Sequence, residues 1–190
     1  MQDRACLATL IQAYEENCEA VRVMILISIG ANLPGLEGGA PNETCQAAIP
    51  YLLEIPGLTF VALSRWYRTV SMPRADFPDY CNGVVRFHGD ADAAELLERL
   101  HGIEAVFGRE RFELNGPRTL DLDIVDLNGI VREDPSPILP HPRTHERAFV
   151  LRPLLDVAPG WRHPILRQSV ATLLADLPPQ GINPWGDEVD

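Results

Sequence analysis

The hydrophobic pattern of the chain changes period several times, and each change marks an element. Residues 23–29, VMILISI, form an almost unbroken apolar run that ends at Gly30. Such a run, rich in β-branched side chains, reads as a strand buried on both faces. The stretch 32–42 is rich in Pro and Gly and reads as a loop. Asn42-Glu43-Thr44 opens a helical pattern through Leu53, which Pro50 is predicted to kink or split and Pro56-Gly57 to end. Residues 58–69 alternate as a strand should: Leu58, Phe60, Ala62 and Ser64 against Thr59, Val61, Leu63 and Arg65. A Pro-containing loop, 70–79, precedes a further strand at 80–88. Asp92 with Glu95 is capping-box-like and starts a helix. Leu96, Leu97, Leu100, Ile103, Val106 and Phe107 line one face of that helix, and Gly108 stops it. After an Arg-rich loop, 119–127 is a strand turned at Asn128-Gly129. Helices follow at 144–155 and 169–177, and the acidic, Pro-rich end 178–190 reads as a loose tail.

The order strand, helix, strand, strand, helix, strand implies an α+β chain with a ferredoxin-like βαββαβ core. Its sheet is mainly antiparallel with helices packed on it, and further helices follow at the C-terminal side. The domain is expected to span 23–177, flanked by the tail 178–190 and by an N-terminal extension, 1–22, that is disordered or helical. Leu7, Leu10, Ile11 and Tyr14 have helical spacing there, and Met24 opens the first convincing strand, which suggests a natural start near that residue.

Charge sharpens this picture. The net charge is -11, which disfavours nucleic acid and anionic membranes as partners. All 16 basic residues are arginine. The absence of lysine excludes Schiff-base, P-loop and protein-kinase lysine mechanisms, so phosphate recognition must use arginine, histidine, backbone N–H groups or metal. Nine of those arginines fall between Arg109 and Arg167, which makes the second half the anion-binding half. Cys6, Cys18, Cys45 and Cys81 form no CxxC pair and read as reduced thiols of a cytoplasmic protein. The apolar run 23–29 is too short to span a membrane.

The strongest local signal is Gly116-Pro-Arg-Thr-Leu-Asp-Leu-Asp-Ile124. On a strand, Asp121 and Asp123 share one face while Leu120, Leu122 and Ile124 take the other. Two carboxylates so placed can bind hard cations, Mg²⁺ best when phosphates supply further ligands. On its own the pair also suits a merely solvated strand; Arg109, Arg111 and Arg118 nearby favour a polyphosphate site. A second group, Pro140-His-Pro-Arg-Thr-His-Glu-Arg-Ala-Phe149, runs from loop into helix. His141 and Arg147 can donate to phosphate there, or simply decorate a helix start. A third, Trp66-Tyr-Arg-Thr69 with Asp79-Tyr-Cys-Asn82, suits either a flat heterocycle or ordinary core aromatics.

Taken together, these segments resemble the 6-hydroxymethyl-7,8-dihydropterin pyrophosphokinases of folate synthesis. The matching pieces are Ile27-Ser-Ile-Gly-Ala-Asn-Leu33, Trp66-Tyr-Arg-Thr69, Pro78-Asp-Tyr-Cys-Asn82, Ile103-Glu104 with Gly108-Arg109, Gly116 through Asp123, Pro140-His-Pro142 and Arg147-Ala-Phe149. The resemblance implies an enzyme that moves a diphosphate from ATP to the hydroxymethyl oxygen of the reduced pterin, with two Mg²⁺ ions on Asp121 and Asp123. It implies catalytic roles for Arg109, Arg118, Asp121 and Asp123. It places ATP against Glu104, Arg109, Arg111, Arg118, Ile124, His141 and Arg147. It places the pterin against Thr69, Met72, Tyr80, Asn82 and Phe149. It further implies a monomer. Departures are a short, lysine-free loop 109–116, Asn115 where some members have tryptophan, His101 for glutamine and Pro142 for tyrosine. A catalytically silent pterin- or nucleotide-binding module on the same fold is the alternative, as is a ferredoxin-like nucleic-acid-binding domain, which the charge disfavours.

Removing residues 1–22 is expected to leave activity and melting temperature unchanged. Parallel turnover assays and thermal melts of the two chains check this, and a loss in either would make the extension part of the working protein.

Overall fold

The structure, a computed structural model, describes residues 24–36, 38–70, 78–109 and 118–186. The expected extension 1–22 lies outside them. The apolar run becomes β1 (Ile25–Ala31), an interior strand of the sheet. It pairs with β4 (Tyr80–Gly89) on one side and β5 (Asp121–Leu127) on the other. The far edge of β4 is shared by β2 (Leu58–Leu63) and β3 (Tyr67–Thr69), and β3 carries β6 (Ile182–Pro184). Every strand pairing among the described residues is antiparallel. With α1 (Pro41–Leu53) and α2 (Ala93–Val106) between the strands, this is the expected ferredoxin-like order. The helices α3 (Ala148–Val157) and α4 (Val170–Asp176) follow, the former after a 3-10 turn at Thr144–Glu146.

The period of two in β1 divides the molecule into two cores. Ile25, Ile27, Ile29 and Ala31 are essentially fully buried with Leu122 and Ile124 of β5 and Val85 and Phe87 of β4. Cys45, Ala48 and Leu52 of α1 and Leu96, Leu100 and Ile103 of α2 close that face. Leu26 points the other way, into a second core with Val84, Val125 and the α3 residues Val150, Leu151 and Leu154. No helix of the described residues is long and apolar enough to cross a membrane.

Local chemistry explains the ends of elements. The Asp92 carboxylate accepts from the Ala94 and Glu95 N–H groups at 2.8 and 3.1 Å, satisfying donors that the first turn of α2 leaves free. Gly108, at φ +75, follows the helix in a conformation that a side chain would strain.

Several expectations change. Pro50 does not split α1: it is exposed in the last turn, where water can take the carbonyl that its missing N–H abandons. The strand expected at 58–69 is broken at Ser64. Its hydroxyl accepts from the Val84 N–H at 3.0 Å and donates to the Arg65 carbonyl at 2.7 Å, so the side chain takes over a ladder partner. Val106 is 55% exposed, and Glu104 is buried on α2 instead, because its carboxylate finds buried donors. The helix expected from 144 begins as an α-helix only at Ala148, since Arg147 is extended at φ -118. The tail is not loose throughout. Ile182–Pro184 takes up the free edge of β3, and Trp185 donates its backbone N–H to the Trp66 carbonyl at 2.8 Å. Pro184 is tolerated because the new strand is itself an edge.

A polar clamp ties α3 to β3. The buried Tyr67 hydroxyl donates to Asp156 Oδ2 at 2.8 Å, and Arg65 Nη2 reaches Asp156 Oδ1 at 3.3 Å. Asp156→Ala is expected to cost about 2 kcal/mol, since it strands a buried hydroxyl and loses charged hydrogen bonds. Urea denaturation checks this; an unchanged midpoint would show that the clamp adds nothing to stability.

Candidate active site

The candidate residues meet on the half of the second sheet face that α3 leaves uncovered. Gly30 of β1 is in register with Asn82 of β4 and with Asp121 of β5. In the same row, Asn82 faces Tyr67 of β3, and two pairs further along Thr69 faces Tyr80. Directly paired residues share a face, as do residues two apart along a strand. Tyr80, Asn82, Thr69, Gly30, Asp121 and Asp123 therefore line one surface. Gly30 forms its floor: a Cβ there would sit 3.3 Å from Asn82 Oδ1 and 3.9 Å from Asp121 Cβ. The glycine leaves both side chains room to lie over β1.

At the acidic end, Asp121 is held by two arginines, Oδ1 2.6 Å from Arg109 Nη1 and Oδ2 2.5 Å from Arg118 Nη1. Arg109 is in turn fixed by Glu104, whose buried carboxylate also accepts the Leu122 N–H at 2.8 Å. Burial lowers the affinity of the Arg118 guanidinium for its proton, but the Asp121 charge more than offsets this and the net shift is upward. Asp123 is the most open of the group, its side chain 36% exposed. Burial and then the neighbouring Asp121 charge raise its carboxyl above the ordinary range, while Arg147, Arg109 and Arg118 oppose the rise. Two like charges side by side call for a cation, and the surrounding arginines call for an anion.

His141 hangs beside this group, its backbone N–H donating to the Val125 carbonyl at 3.0 Å. Its Nδ1 accepts from the Arg143 N–H at 3.2 Å, which leaves the ring proton on Nε2, 3.9 Å from Asp123 Oδ2. Burial first, then Arg147 and Arg143, push the imidazole down to about 4. The ring is therefore neutral near pH 7 and contacts Asp123 as a dipole. Burial and Arg143 likewise pull the Arg147 guanidinium down from its usual value. Arg147 lies over the Phe149 ring, 5.4 Å from its centroid, at the start of α3. At the other end of the row, Thr69 Oγ1 accepts from Asn82 Nδ2 at 3.0 Å, which orients the amide. Burial raises the Tyr80 hydroxyl above its ordinary value.

Of the expected site residues, Arg109, Arg118, Asp121, Asp123, His141, Arg147, Thr69, Tyr80, Asn82 and Phe149 are placed around this surface. Ile124 does not join them. It pairs with Ile27 and lies buried in the first core, because alternation turns it away from Asp123. A nucleotide contact there would have to run through its backbone. Glu104 lies beneath Arg109 and is 1% exposed. Met72 and Arg111 fall outside the described residues. Two residues of the surface had no sequence-level role. Asn32, fully buried at the end of β1, bonds Arg118. Gln180 accepts the Ala148 N–H at 2.9 Å and donates to the Glu146 carbonyl at 2.8 Å, so it caps α3 beside Arg147. The amide of Asn32 closing an apolar strand was a weak signal; Gln180 carried none.

A hard, oxygen-seeking cation fits this donor set: two adjacent carboxylates on one strand face, open on one side. No group of three or more His, Cys, Asp or Glu residues among the described residues closes around a metal, so further ligands would come from water or a bound phosphate.

Residues 26–159 match the family model for 7,8-dihydro-6-hydroxymethylpterin-pyrophosphokinase, HPPK. The chain belongs to this family. The match runs from β1 through α3 and takes in every candidate site residue, while β6 and Gln180 lie beyond it. Among its relatives, the 2-amino-4-hydroxy-6-hydroxymethyldihydropteridine pyrophosphokinase of Pseudomonas aeruginosa is 37% identical over 158 residues, 83% of this chain and 94% of that one. The folic acid synthesis protein fol1 of Schizosaccharomyces pombe is 36% identical over 156 residues, 82% of this chain but 21% of that protein. A crystal structure of an HPPK-DHPS in complex with substrates superposes with a TM-score of 0.62 at 13% identity, covering 81% of this chain and 43% of that one. At that identity the likeness speaks for the HPPK fold alone. The chain thus spans about a fifth of the fission yeast relative and under half of the solved one.

The His141 environment sets a pH dependence. With a folded value near 4 against an ordinary 6.5, the unfolded chain binds the extra proton first. Stability from this ring is full above pH 6.5 and falls as pH drops toward 4, and the similarly lowered His163 adds to the trend. An NMR titration of the ligand-free protein is expected to place the His141 midpoint near 4. A midpoint at the ordinary 6.5 would show a solvated ring.

Proposed function

We propose that the chain is an ATP-dependent pyrophosphokinase that transfers a diphosphate to the hydroxymethyl group of 6-hydroxymethyl-7,8-dihydropterin. The products are AMP and the pterin diphosphate, a step in folate synthesis. One observation carries this reading. The Asp121–Asp123 pair, ringed by Arg109, Arg118 and Arg147, lies on the same sheet surface as the oriented Asn82 amide and the Tyr80 ring. An anion-and-cation subsite and a flat polar subsite are thereby a few residues apart. Membership in the HPPK family supports it.

In this reading Asp121 and Asp123 hold two Mg²⁺ ions. When bound, these would neutralise charge on the phosphate oxygens and on the pair itself. Arg109 and Arg118 flank the Asp121 carboxylate and are the cations that meet the transferring phosphates. Their forks suit paired phosphate oxygens, and as permanent charges they lower a barrier made largely of charge reorganisation. Glu104 acts through Arg109: it holds the guanidinium over the site from below. His141 offers the Nε2 proton to a phosphate oxygen without adding a charge. Arg147 adds one at the start of α3 and helps hold ATP. The amide of Asn82, set by Thr69, reads the edge of the pterin, and Tyr80 and Phe149 supply the aromatic faces. The acceptor hydroxyl is a weak nucleophile, so rate comes from holding it in line with the attacked phosphorus.

The test is AMP formation from ATP, Mg²⁺ and 6-hydroxymethyl-7,8-dihydropterin. Wild type is expected to form AMP only with the pterin present, and Asp123→Ala to lose about 100-fold or more of that rate. Chelation of the metal should have a similar effect. AMP formed without pterin would indicate ATP hydrolysis instead. No AMP, with both ligands bound, would make the chain a silent binding module.

A further inference from the structure

Asn32 is fully buried, and its side-chain amide bonds to the segments that lead into both ends of the site surface. Its Oδ1 accepts the Arg118 N–H at 2.8 Å. Its own N–H, with that of Leu33, returns the bond to the Arg118 carbonyl at 3.1 and 3.2 Å. Its Nδ2 donates to the Pro78 carbonyl at 3.4 Å. Pro78 leads directly into Tyr80 and Asn82 of β4, and Arg118 leads into Asp121 and Asp123 of β5. β1 lies between those strands, so neither entry segment is the sheet neighbour of the other. The one Asn32 amide bonds to both.

We propose that Asn32 is a positioning residue. It sets the distance and angle between the pterin-reading end of β4 and the phosphate-binding Arg118–Asp121 end of β5, and it touches neither substrate. The chemistry demands an amide. Only a group with an acceptor on one side and a donor on the other satisfies a backbone N–H and a backbone carbonyl together. An aspartate would keep the bond to the Arg118 N–H and turn a second oxygen toward the Pro78 carbonyl. Alanine would leave both backbone groups unmet. Each substrate would still find its own contacts, Asn82 and Tyr80 for one, His141 and Arg147 for the other. What would be lost is their alignment.

The inference rests on the proposed activity, and its test separates the two. Wild type, Asn32→Asp and Asn32→Ala are compared for kcat, for KM of each substrate and for the dissociation constant of the pterin alone. The expected result is a fall in kcat of about 100-fold, as for a misplacement of roughly 1 Å, with KM and pterin affinity within about threefold of wild type. Asn32→Asp keeps the bond to Arg118 and decides the matter if the alanine chain does not fold. Hydrogen exchange on the wild type supplies a readout free of mutation: the Arg118 amide is expected to be protected. An unchanged kcat, an affinity loss that accounts for the whole loss of rate, or an unprotected Arg118 amide would overturn the role. Wild type that makes no AMP would instead remove the activity on which the role rests.

Discussion

Everything at this site depends on the two-residue period of β1 and β5. Ile25, Ile27 and Ile29 must face the helices α1 and α2, since slipping the register by one would turn them onto the partly open second face and bring Ser28 and Gly30 into the first core. The same constraint fixes Leu122 and Ile124 inward, so Asp121 and Asp123 have no choice of face. The energy that places the acidic pair is the burial of its apolar neighbours. α3 and α4 then cover Leu26, Val84 and Val125 and stop short of Gly30, which leaves the polar row open where the carboxylates emerge.

A chain of net charge -11 must gather cations deliberately to hold a polyanion. It does so by stacking them on its own acids. Glu104 sits under Arg109, Arg109 and Arg118 grip Asp121, and the Arg147 charge reaches Asp123. Partly buried ion pairs of this kind add little net stability, because desolvation consumes most of their attraction. Their value lies in position. Arginines already held over the surface meet an incoming phosphate with little reorganisation, and the Asp123 carboxyl, raised first by burial and then by the Asp121 charge, is one that a bound cation would favour in its ionised form.

What the sequence made legible was whatever depends on residues close together in the chain. The alternation of 120–124, the Asp92 cap and the Gly108 stop are local, and each was readable. Where the structure differs from that reading, the causes differ from residue to residue. Ile124 has its nucleotide role from the family resemblance alone, and its alternation with Asp123 turns the side chain inward, so such a contact falls to its backbone. Glu104 falls on the buried stripe of α2 only because Leu122 and Arg109 offer it donors there, and that pairing exists only after folding. The segment 178–190 looked loose because its composition is that of a tail. Yet β3 needed a partner, and Ile182–Pro184 supplies it at a sequence distance that no periodicity can span. Gln180 follows the same logic, reaching back to cap α3.

The absence of lysine gives the site a further property. Every cation in it is a guanidinium, charged across any physiological pH, and the histidine is neutral over the same range because burial and two arginines hold its proton affinity down. The imidazole keeps its proton on Nε2 because Nδ1 is engaged by the Arg143 N–H, so it can donate a hydrogen bond without altering the local charge. The positive field over the phosphates is then set by geometry and hardly at all by protonation. That makes the exact placement of each arginine the quantity that matters. It also explains why side-chain bonds from Glu104, Asn32 and Gln180 are spent on fixing where an arginine or its neighbouring backbone stands.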